Sequence, residues 1–339
     1  MQEIRRILFI RTDRMGDVLM NLPAIRLLRQ AYPKSWMTVL VDAPAEDLLR
    51  HHPDIDEVMA IPAKKIKESF FYRLELARLL RKGKFDLAVV SNPDKGLHQA
   101  VFLAGIPRRV GYRRKWGFLL TRSAADRKAV SGRHEIDSNL ELMKLLTDKT
   151  WDGRLLLSPD ESAKISVEGL LAKSFPDSRQ ILAVHPGTSN PAKRWAADNF
   201  ARLCELLRNE KNLALALVGG AEERQVSKEI RAKTNARVVD LTGGLSLSEL
   251  TAFLGHERVR LLVSSDSGPV HIAWISGTPV VAMYAKDVSG SDPARWGPRD
   301  GKSEIIHKPM AEISVPDVFE AVKRILQRVS LRAKRSNLC

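Results

Sequence analysis

Apolar and polar positions alternate along the first half of the chain with two different periods. Short apolar runs, ILFI (7–10), WMTVLV (36–41) and FDLAVV (85–90), have the length and composition of buried strands. Between them, DVLMNLPAIRLLRQAY (17–32) and SFFYRLELARLLRKG (69–83) repeat apolar residues at the spacing of an amphipathic helix. Strands that alternate with helices predict a parallel sheet joined by right-handed crossovers.

A second series of the same kind begins at ILAVHP (181–186) and continues to PVVAMYA (279–285). The chain is therefore predicted to be an α/β protein with two doubly wound parallel-sheet domains. We expect an N-terminal domain over 1–150, a C-terminal domain over 151–330 and a frayed basic tail over 331–339. HEIDSNLELMKLLTD (134–148) is predicted to be a helix that links the domains.

The net charge of the 339-residue chain is +15, from 55 lysine and arginine residues against 40 acidic residues. Such an excess indicates a polyanionic partner, such as nucleic acid, an anionic membrane or a phosphorylated substrate, and a solvated basic surface that serves solubility is the alternative. Basic residues concentrate in the ranges 64–84 and 108–133. We expect Phe70 and Phe71 to pack against the core on one face of an amphipathic helix, with contact to a membrane surface as the alternative.

Apolar runs and cysteines bear on the compartment. No run reaches the roughly 18 to 20 residues that cross a bilayer, and the N-terminus does not have the pattern of a signal peptide. Cys204 and Cys339 are too few for a disulfide framework or a metal cluster. A cytoplasmic location is the simplest expectation.

Four loops that follow predicted strands carry the candidate chemistry, because ligands of open α/β sheets bind outside the carboxyl ends of the strands. The first is RTDRMGD (11–17), which lacks the G-x-G-x-x-G spacing of a dinucleotide loop. We expect Asp17 to cap the following helix. Asp13 is suited to act as a general base toward an acceptor hydroxyl, and a purely structural place in the loop is the alternative.

The second loop is HPGTSNPAKRW (185–195). Gly187, Thr188 and Ser189 are suited to surrounding a phosphate with backbone N–H groups and hydroxyls, and Lys193 adds a positive charge. A turn that starts a helix explains the same residues equally well.

The third loop, LVGGAEERQ (217–225), brings two acidic residues directly after two glycines. Glu222 or Glu223 is suited to accept hydrogen bonds from ribose hydroxyls. The alternative is that both acids complement the helix dipole in its first turn.

The fourth loop, SSDSGPVHIAW (264–274), ends a strand and starts a helix with Pro269 in its first turn. The free N–H groups of that turn form an anion site. Asp266 either binds sugar hydroxyls or fixes the turn. His271 either reaches a phosphate or is a buried, hydrogen-bonded histidine, and the sequence favours neither.

Two other motifs are predicted to be structural. Ser246 and Glu249 have the spacing of a capping box. Asp54-Ile55-Asp56 resembles a metal-binding D-x-D triplet, but it leads into a strand and so lies at the wrong edge of the sheet for a ligand.

Other functional classes fit less well. An oxidoreductase on this fold requires the glycine fingerprint and an acid about 20 residues later, and neither occurs in that context. A nucleic-acid-binding protein is suggested by the charge alone, since aromatic residues make up only 6% and no known binding module is present.

The order of the loops is more specific than any one of them. R-x-D-x-x-G-D, H-P-G-T-S with K-R-W, V-G-G-A-E-E, L-T-G-x-x-S-L-x-E-L and S-D-S-G-P-x-H follow one another along the chain. This series resembles the bacterial heptosyltransferases of lipopolysaccharide core synthesis, inverting enzymes of glycosyltransferase family 9. The similarity extends from Ile7 to about Val329.

The resemblance implies a GT-B architecture, with two Rossmann-like domains facing an interdomain cleft. It places the donor, ADP-L-glycero-β-D-manno-heptose, on the C-terminal domain and a lipid-linked acceptor on the N-terminal domain. Asp13 is then the catalytic base, and Lys193 counters the charge on the departing ADP. The implied donor-binding residues are Gly187, Thr188, Ser189, Lys193, Glu222 or Glu223, Leu245, Asp266, Ser267, Gly268 and His271.

The same resemblance implies an anionic oligosaccharide acceptor on lipid A, met at the inner leaflet of the inner membrane by a peripheral cytoplasmic enzyme. The residues expected on the acceptor side are Arg11, Arg14, Lys64, Lys67, Arg113 and Arg114. Neither a metal nor another cofactor is expected, nor is a nucleic-acid partner, and the enzyme is expected to be a monomer. A related GT-B transferase with another nucleotide-sugar is the alternative, followed by a non-catalytic polyanion-binding protein. The sequence leaves the core position of the acceptor open.

Overall fold

The computed structural model describes residues 3–128, 130–177 and 179–336. The chain divides into two compact units, Met1–Ser158 and Pro159–Cys339. The predicted boundary at residue 150 lies close to this division. The first unit extends a few residues further, and within it Arg26 donates to Asp152 Oδ2 at 2.9 Å.

The first unit contains one sheet of six parallel strands in the order β3-β2-β1-β4-β5-β6. Its strands are β1 Arg6–Arg11, β2 Trp36–Asp42, β3 Glu57–Ile61, β4 Leu87–Val90, β5 Arg108–Tyr112 and β6 Arg122–Ala124. Its helices are α1 Met15–Leu19, α2 Leu22–Ala31, α3 Glu46–Leu49, α4 Ala63–Glu68, α5 Phe70–Lys82, α6 Lys95–Leu103 and α7 Glu135–Met143.

The second unit repeats this topology in the order β12-β11-β10-β7-β8-β9, again all parallel. Its strands are β7 Gln180–His185, β8 Leu213–Leu217, β9 Val238–Asp240, β10 Val259–Ser265, β11 Val280–Ala285 and β12 Glu304–Lys308. Its helices are α8 Glu161–Ser174, α9 Ala197–Leu207, α10 Arg224–Ala232, α11 Leu247–Gly255, α12 Gly268–Ile275, α13 Pro293–Trp296 and α14 Val315–Ser336.

The predicted α/β class with two doubly wound parallel sheets is confirmed. The central strands form because helices cover both faces of each sheet, so continuous apolar runs are buried along their whole length, as in β4 and β11. In each unit the strand order reverses beside the first strand, between β1 and β4 and between β7 and β10. Ligands of doubly wound sheets bind at such switch points.

Three predicted elements differ in the structure. The helix over 17–32 is two helices, because Pro23 starts α2 afresh in its first turn. The predicted linking helix is α7, which belongs to the first unit, where Asn139 Nδ2 donates to Met20 O at 3.0 Å. The predicted tail is helical to Ser336, because α14 continues through good helix formers, and residues 337–339 lie outside the described residues.

Candidate active site

Arg11, the last residue of β1, organises the loop that follows it. Its side chain is only 5% exposed. The guanidinium contacts Asp13 at 2.6 Å, Asp17 at 2.7 Å and Glu135 at 3.5 Å. It also donates to the backbone oxygen of Ser91, just after β4. The buried arginine therefore holds the loops on both sides of the switch point, and its guanidinium is occupied by acids of its own chain rather than free for an acceptor.

Asp13 is the carboxylate of this group that solvent reaches best. Its side chain is 35% exposed, against 18% for Asp17 and 0% for Glu135. Because Arg11 Nε binds only one oxygen of Asp13 at 2.6 Å, the carboxylate is oriented and keeps an oxygen for another partner. This geometry suits a base, although the role itself stays a prediction.

Asp17 does not cap the helix, contrary to the expectation. α1 begins at Met15 after Arg14, with no side-chain cap, and Asp17 instead pairs with Arg11. Burial and the neighbouring charge of Asp13 raise the pKa of Asp17 from 3.8 to about 6.

Lys128 and Glu135 complete the group, and sequence reasoning missed both. Lys128 Nζ donates to Glu135 Oε1 at 2.5 Å and to Asn139 Oδ1 at 2.6 Å. Burial, with the charge of Arg11, lowers the pKa of Lys128 to about 8. Their signal was faint, because one lies inside a basic run and the other in a helix that the pattern assigned to a linker.

The raised pKa of Asp17 predicts a pH-dependent stability. The native state keeps the Asp17 proton up to about pH 6, whereas the unfolded chain loses it near 3.8. This contribution is complete below 3.8 and lost as the pH rises through 6. From pH 4 to 6 we expect the wild-type protein to lose about 1 to 3 kcal/mol of unfolding free energy relative to Asp17→Asn.

Urea unfolding of both proteins across this range measures the difference. Asp317→Asn is the control, since hydrogen bonds from Lys308 and Ser314 lower the pKa of Asp317 to about 2. Its difference from wild type should stay flat between pH 4 and 6. If the difference in unfolding free energy between Asp17→Asn and wild type is also flat, the raised pKa of Asp17 is contradicted.

In the second unit, the predicted phosphate loop and the loop after β10 meet at the switch point. Lys193 Nζ donates to Asp266 Oδ2 at 2.6 Å, and both side chains are about 10% exposed. Thr188 Oγ1 donates to the backbone oxygen of Asp266 at 3.3 Å, and Ser291 Oγ donates to Asp266 Oδ2 at 3.1 Å. The fold therefore assembles Thr188, Lys193 and Asp266, which are distant in sequence, into one contact group.

A buried, neutral histidine lies within hydrogen-bond distance of the loop after β10. Burial alone lowers the pKa of His185 to about 4. Its Nδ1 lies 3.0 Å from Ser264 Oγ and 3.2 Å from Ser267 Oγ, and the two hydroxyls are 2.9 Å apart. Ser267 is thus fixed at the residue before α12, next to the first-turn N–H groups that start at Gly268.

Glu223 lies directly against the phosphate loop. A side chain at Gly187 would place its Cβ 2.1 Å from Glu223 Oε1, so only glycine allows this approach. Glu223 Oε2 accepts from the backbone N–H of Gly220 at 2.7 Å. Glu222 is exposed, so the two acids have different surroundings although they are adjacent in sequence.

The remaining donor-side predictions are placed less distinctively. His271 is buried, and its Nδ1 is 3.5 Å from Trp274 Nε1, which favours the packing alternative for this histidine. Leu245 is half-buried and Ser189 is exposed. The capping box of Ser246 and Glu249 is confirmed.

The acceptor-side predictions other than Arg11 lie on the surface of the first unit. The exposed residues are Arg14, Lys64, Lys67, Arg113 and Arg114. Phe70 and Phe71 do not pack into the core as expected, since they start α5 on its exposed face.

The D-x-D triplet makes protein contacts. Asp54 binds Arg26 at 2.8 Å and Asp56 binds Arg29 at 2.5 Å. Within the ranges that the structure describes, no group of three or more histidine, cysteine or acidic side chains is placed to hold a metal ion. In those ranges there is also no helix that is long and apolar enough to cross a membrane.

Comparison with known proteins shows which protein family the chain matches. Residues 73–321 match glycosyltransferase family 9 (heptosyltransferase). Lipopolysaccharide heptosyltransferase 2 of Salmonella typhimurium is 27% identical over 315 residues, which cover 89% of this chain and 87% of that protein. The lipopolysaccharide core heptosyltransferase OpsX of Haemophilus influenzae is 25% identical and covers 88% and 82% respectively.

Solved structures show the same fold. A family 9 glycosyl transferase from Veillonella parvula superposes with a TM-score of 0.86 at 22% identity, covering 97% of this chain and 99% of that one. ADP-heptose lps heptosyltransferase II of E. coli gives a TM-score of 0.79 at 24% identity, with coverage of 96% and 99%. These likenesses establish a GT-B-like fold, in agreement with the two sheets.

Proposed function

The chain belongs to glycosyltransferase family 9, the heptosyltransferase family, and is a glycosyltransferase; on that premise we propose that it transfers a heptose to the inner core of lipopolysaccharide. The proposed donor is ADP-L-glycero-β-D-manno-heptose, and the acceptor is a Kdo or heptose residue on lipid A. Relatives named as lipopolysaccharide heptosyltransferases support this choice. The observation that carries the proposal is that the predicted base and the predicted diphosphate lysine each lie at a switch point.

On the donor side, Lys193 carries the central task. We propose that its ammonium binds the diphosphate and stabilises the charge that grows on ADP as the sugar bond breaks. Thr188, Ser189 and the first-turn N–H groups from Gly268 add neutral donors. Asp266 accepts a hydrogen bond from Lys193 Nζ, which supports a fixed position of the ammonium in this loop.

On the acceptor side, Asp13 takes the proton of the attacking hydroxyl. The hydroxyl oxygen forms the new bond to the anomeric carbon of heptose while the bond to the β-phosphate oxygen breaks. Attack opposite the leaving group inverts the configuration. No step needs a metal, and we propose that the enzyme works without one, as a monomer at the cytoplasmic face of the inner membrane.

A panel assay tests the proposal. Purified protein receives ADP-heptose, ADP-glucose, UDP-glucose or GDP-mannose with truncated core acceptors, with and without EDTA, and mass spectrometry reads the addition. We expect a heptose-sized mass from ADP-heptose only, with EDTA making no difference. Transfer from another nucleotide-sugar would favour the related GT-B transferase, and no transfer from any would contradict the proposal.

We propose Glu223 rather than Glu222 as the ribose ligand, because it is fixed beside Gly187. A ribose hydroxyl that donates to a carboxylate makes a charge-assisted hydrogen bond. Glu223→Gln is expected to raise the KM for ADP-heptose by about 10-fold or more, while Glu222→Gln changes it less than about 3-fold. Initial rates at varied donor concentration measure both, and the reverse order would assign ribose to Glu222.

A further inference from the structure

We infer that the first unit binds the surface of an anionic lipid bilayer through two exposed segments, 64–71 and 113–118, which we call the aromatic-basic surface. This inference deepens the proposed function and rests on it, because the lipid-linked acceptor belongs to that proposal. Bilayer binding itself requires no transfer activity.

The first segment joins basic α4 to the start of α5. Phe71 is 82% exposed and Phe70 50%, and their rings meet edge to face with centroids 6.4 Å apart. Lys64 and Lys67 on α4 are also exposed. Two adjacent, exposed aromatic rings beside lysines are costly in water, and they are typical of a surface that enters a lipid interface.

The second segment is the loop after β5. Phe118 is 77% exposed and Trp116 is 42% exposed, with ring centroids 6.1 Å apart. Lys115 and Trp116 both have positive φ, 46° and 70°. Residues other than glycine rarely adopt this backbone conformation, and a bulky residue in it indicates a strained turn. The strained backbone is thus held in a form that leaves an indole and a phenyl ring exposed.

Both segments are anchored to the first turns of α6. Gly96 lies against Ile66 of α4, since a Cβ there would come within 2.6 Å of Ile66 Cγ2. His98 Nδ1 lies 2.9 Å from the backbone oxygen of Lys115, so this nitrogen is the one that carries hydrogen and donates. One short stretch of helix therefore supports the two segments.

The topology places the two segments at one edge of the sheet. The first follows β3 and the second follows β5, and both strands run parallel to β1. Since parallel strands end at a common edge, both segments lie on the edge where Asp13 follows β1. A lipid-anchored acceptor held at this surface has its sugars on the same edge as Asp13.

An anionic bilayer fits this surface better than a protein or nucleic-acid partner does. Aromatic rings partition to the depth of the lipid headgroups, and lysine and arginine beside them attract anionic headgroups. The first segment contains Lys64, Lys65 and Lys67 and one acidic residue, Glu68. The second segment contains Arg113, Arg114 and Lys115 and no acidic residue. Glu68 and Asp126 pair with Lys64 and Arg114 but leave the net charge positive.

Vesicle flotation tests the inference without transfer substrates. The full-length protein is mixed with vesicles of phosphatidylglycerol and phosphatidylethanolamine, or of phosphatidylcholine alone, at low and high salt. We expect binding to the anionic vesicles that high salt weakens. The double variant Phe71→Ser/Phe118→Ser should lower the partition coefficient about 10-fold or more. The control is Ile165→Ser, which removes a 67% exposed apolar residue from the second unit and should leave binding unchanged.

The outcomes separate this inference from the proposed function. Wild-type flotation with phosphatidylcholine as strong as with anionic vesicles, or undiminished flotation of the double variant, would overturn the bilayer surface. Retention on single-stranded nucleic acid without vesicle binding would also overturn it. If the double variant transfers normally to a delipidated acceptor yet poorly to one in vesicles, the inference is supported. If wild-type protein binds vesicles but transfers nothing, only the proposed function fails.

Discussion

Asp13→Asn is expected to lower the transfer rate about 10²-fold or more while the fold and the binding of the nucleotide-sugar stay unchanged. The amide has nearly the shape of the carboxylate but cannot take a proton from the acceptor hydroxyl. Donor binding is expected to be intact because the predicted donor loops belong to the second unit. Single-turnover rates with ADP-heptose and calorimetric titration with ADP measure the two quantities.

Asp17→Asn is the matched control for this experiment. Asp13 and Asp17 bind the same guanidinium at 2.6 and 2.7 Å, so both variants remove one negative charge from Arg11. If Asp13 only neutralises Arg11, the two variants will slow transfer to a similar degree. A general base predicts a far larger loss for Asp13→Asn, and unchanged product formation in that variant would refute the assignment.

Lys193→Ala is expected to slow transfer about 10²-fold or more and to weaken the binding of ADP. The ammonium is buried and paired with Asp266, so its removal leaves a largely buried carboxylate without its cation. That carboxylate would then repel the diphosphate. Calorimetry with ADP and steady-state rates with ADP-heptose measure the effect.

The double variant Lys193→Ala/Asp266→Asn distinguishes two origins of the loss. If Lys193 serves only to neutralise Asp266, removing both charges will restore ADP binding. If the ammonium touches the diphosphate, binding will remain weak in the double variant. Undiminished ADP binding in Lys193→Ala itself would remove this residue from the phosphate site.

The fold was predictable because its signals are local. In the second unit, the predicted strand and helix series from β7 to β11 agrees with the structure, since the strands are short, mostly apolar runs and helices such as α9 bury one apolar face. The misjudged elements depended on packing. The pattern of α7 is the same for a linking helix and for one packed on α2, and Phe70 and Phe71 have a helical spacing that does not reveal which face is buried.

The sequence predicted where in the chain the residues of the candidate site lie, but not which side chains they contact. Loops after strands could be selected from the sequence because parallel strands end at one edge, and this singled out Asp13, Lys193 and Asp266. The partners of Asp13 could not be selected in the same way. Glu135 reaches Arg11 across more than a hundred residues of chain, and no local pattern encodes that approach.

The sequence by itself determined the two doubly wound sheets, the loops that are predicted to carry chemistry and the family to which their order belongs. Hydrophobic periodicity and turn residues act over a few neighbours, so they can be read along the chain. Only the tertiary structure decided that Arg11 is buried among acids, that Glu223 rather than Glu222 lies on Gly187, and that aromatic rings are exposed beside lysines. Burial and charge pairing depend on residues that folding brings together, and these set the pKa of Asp17 and the choice between a buried and an exposed Phe71.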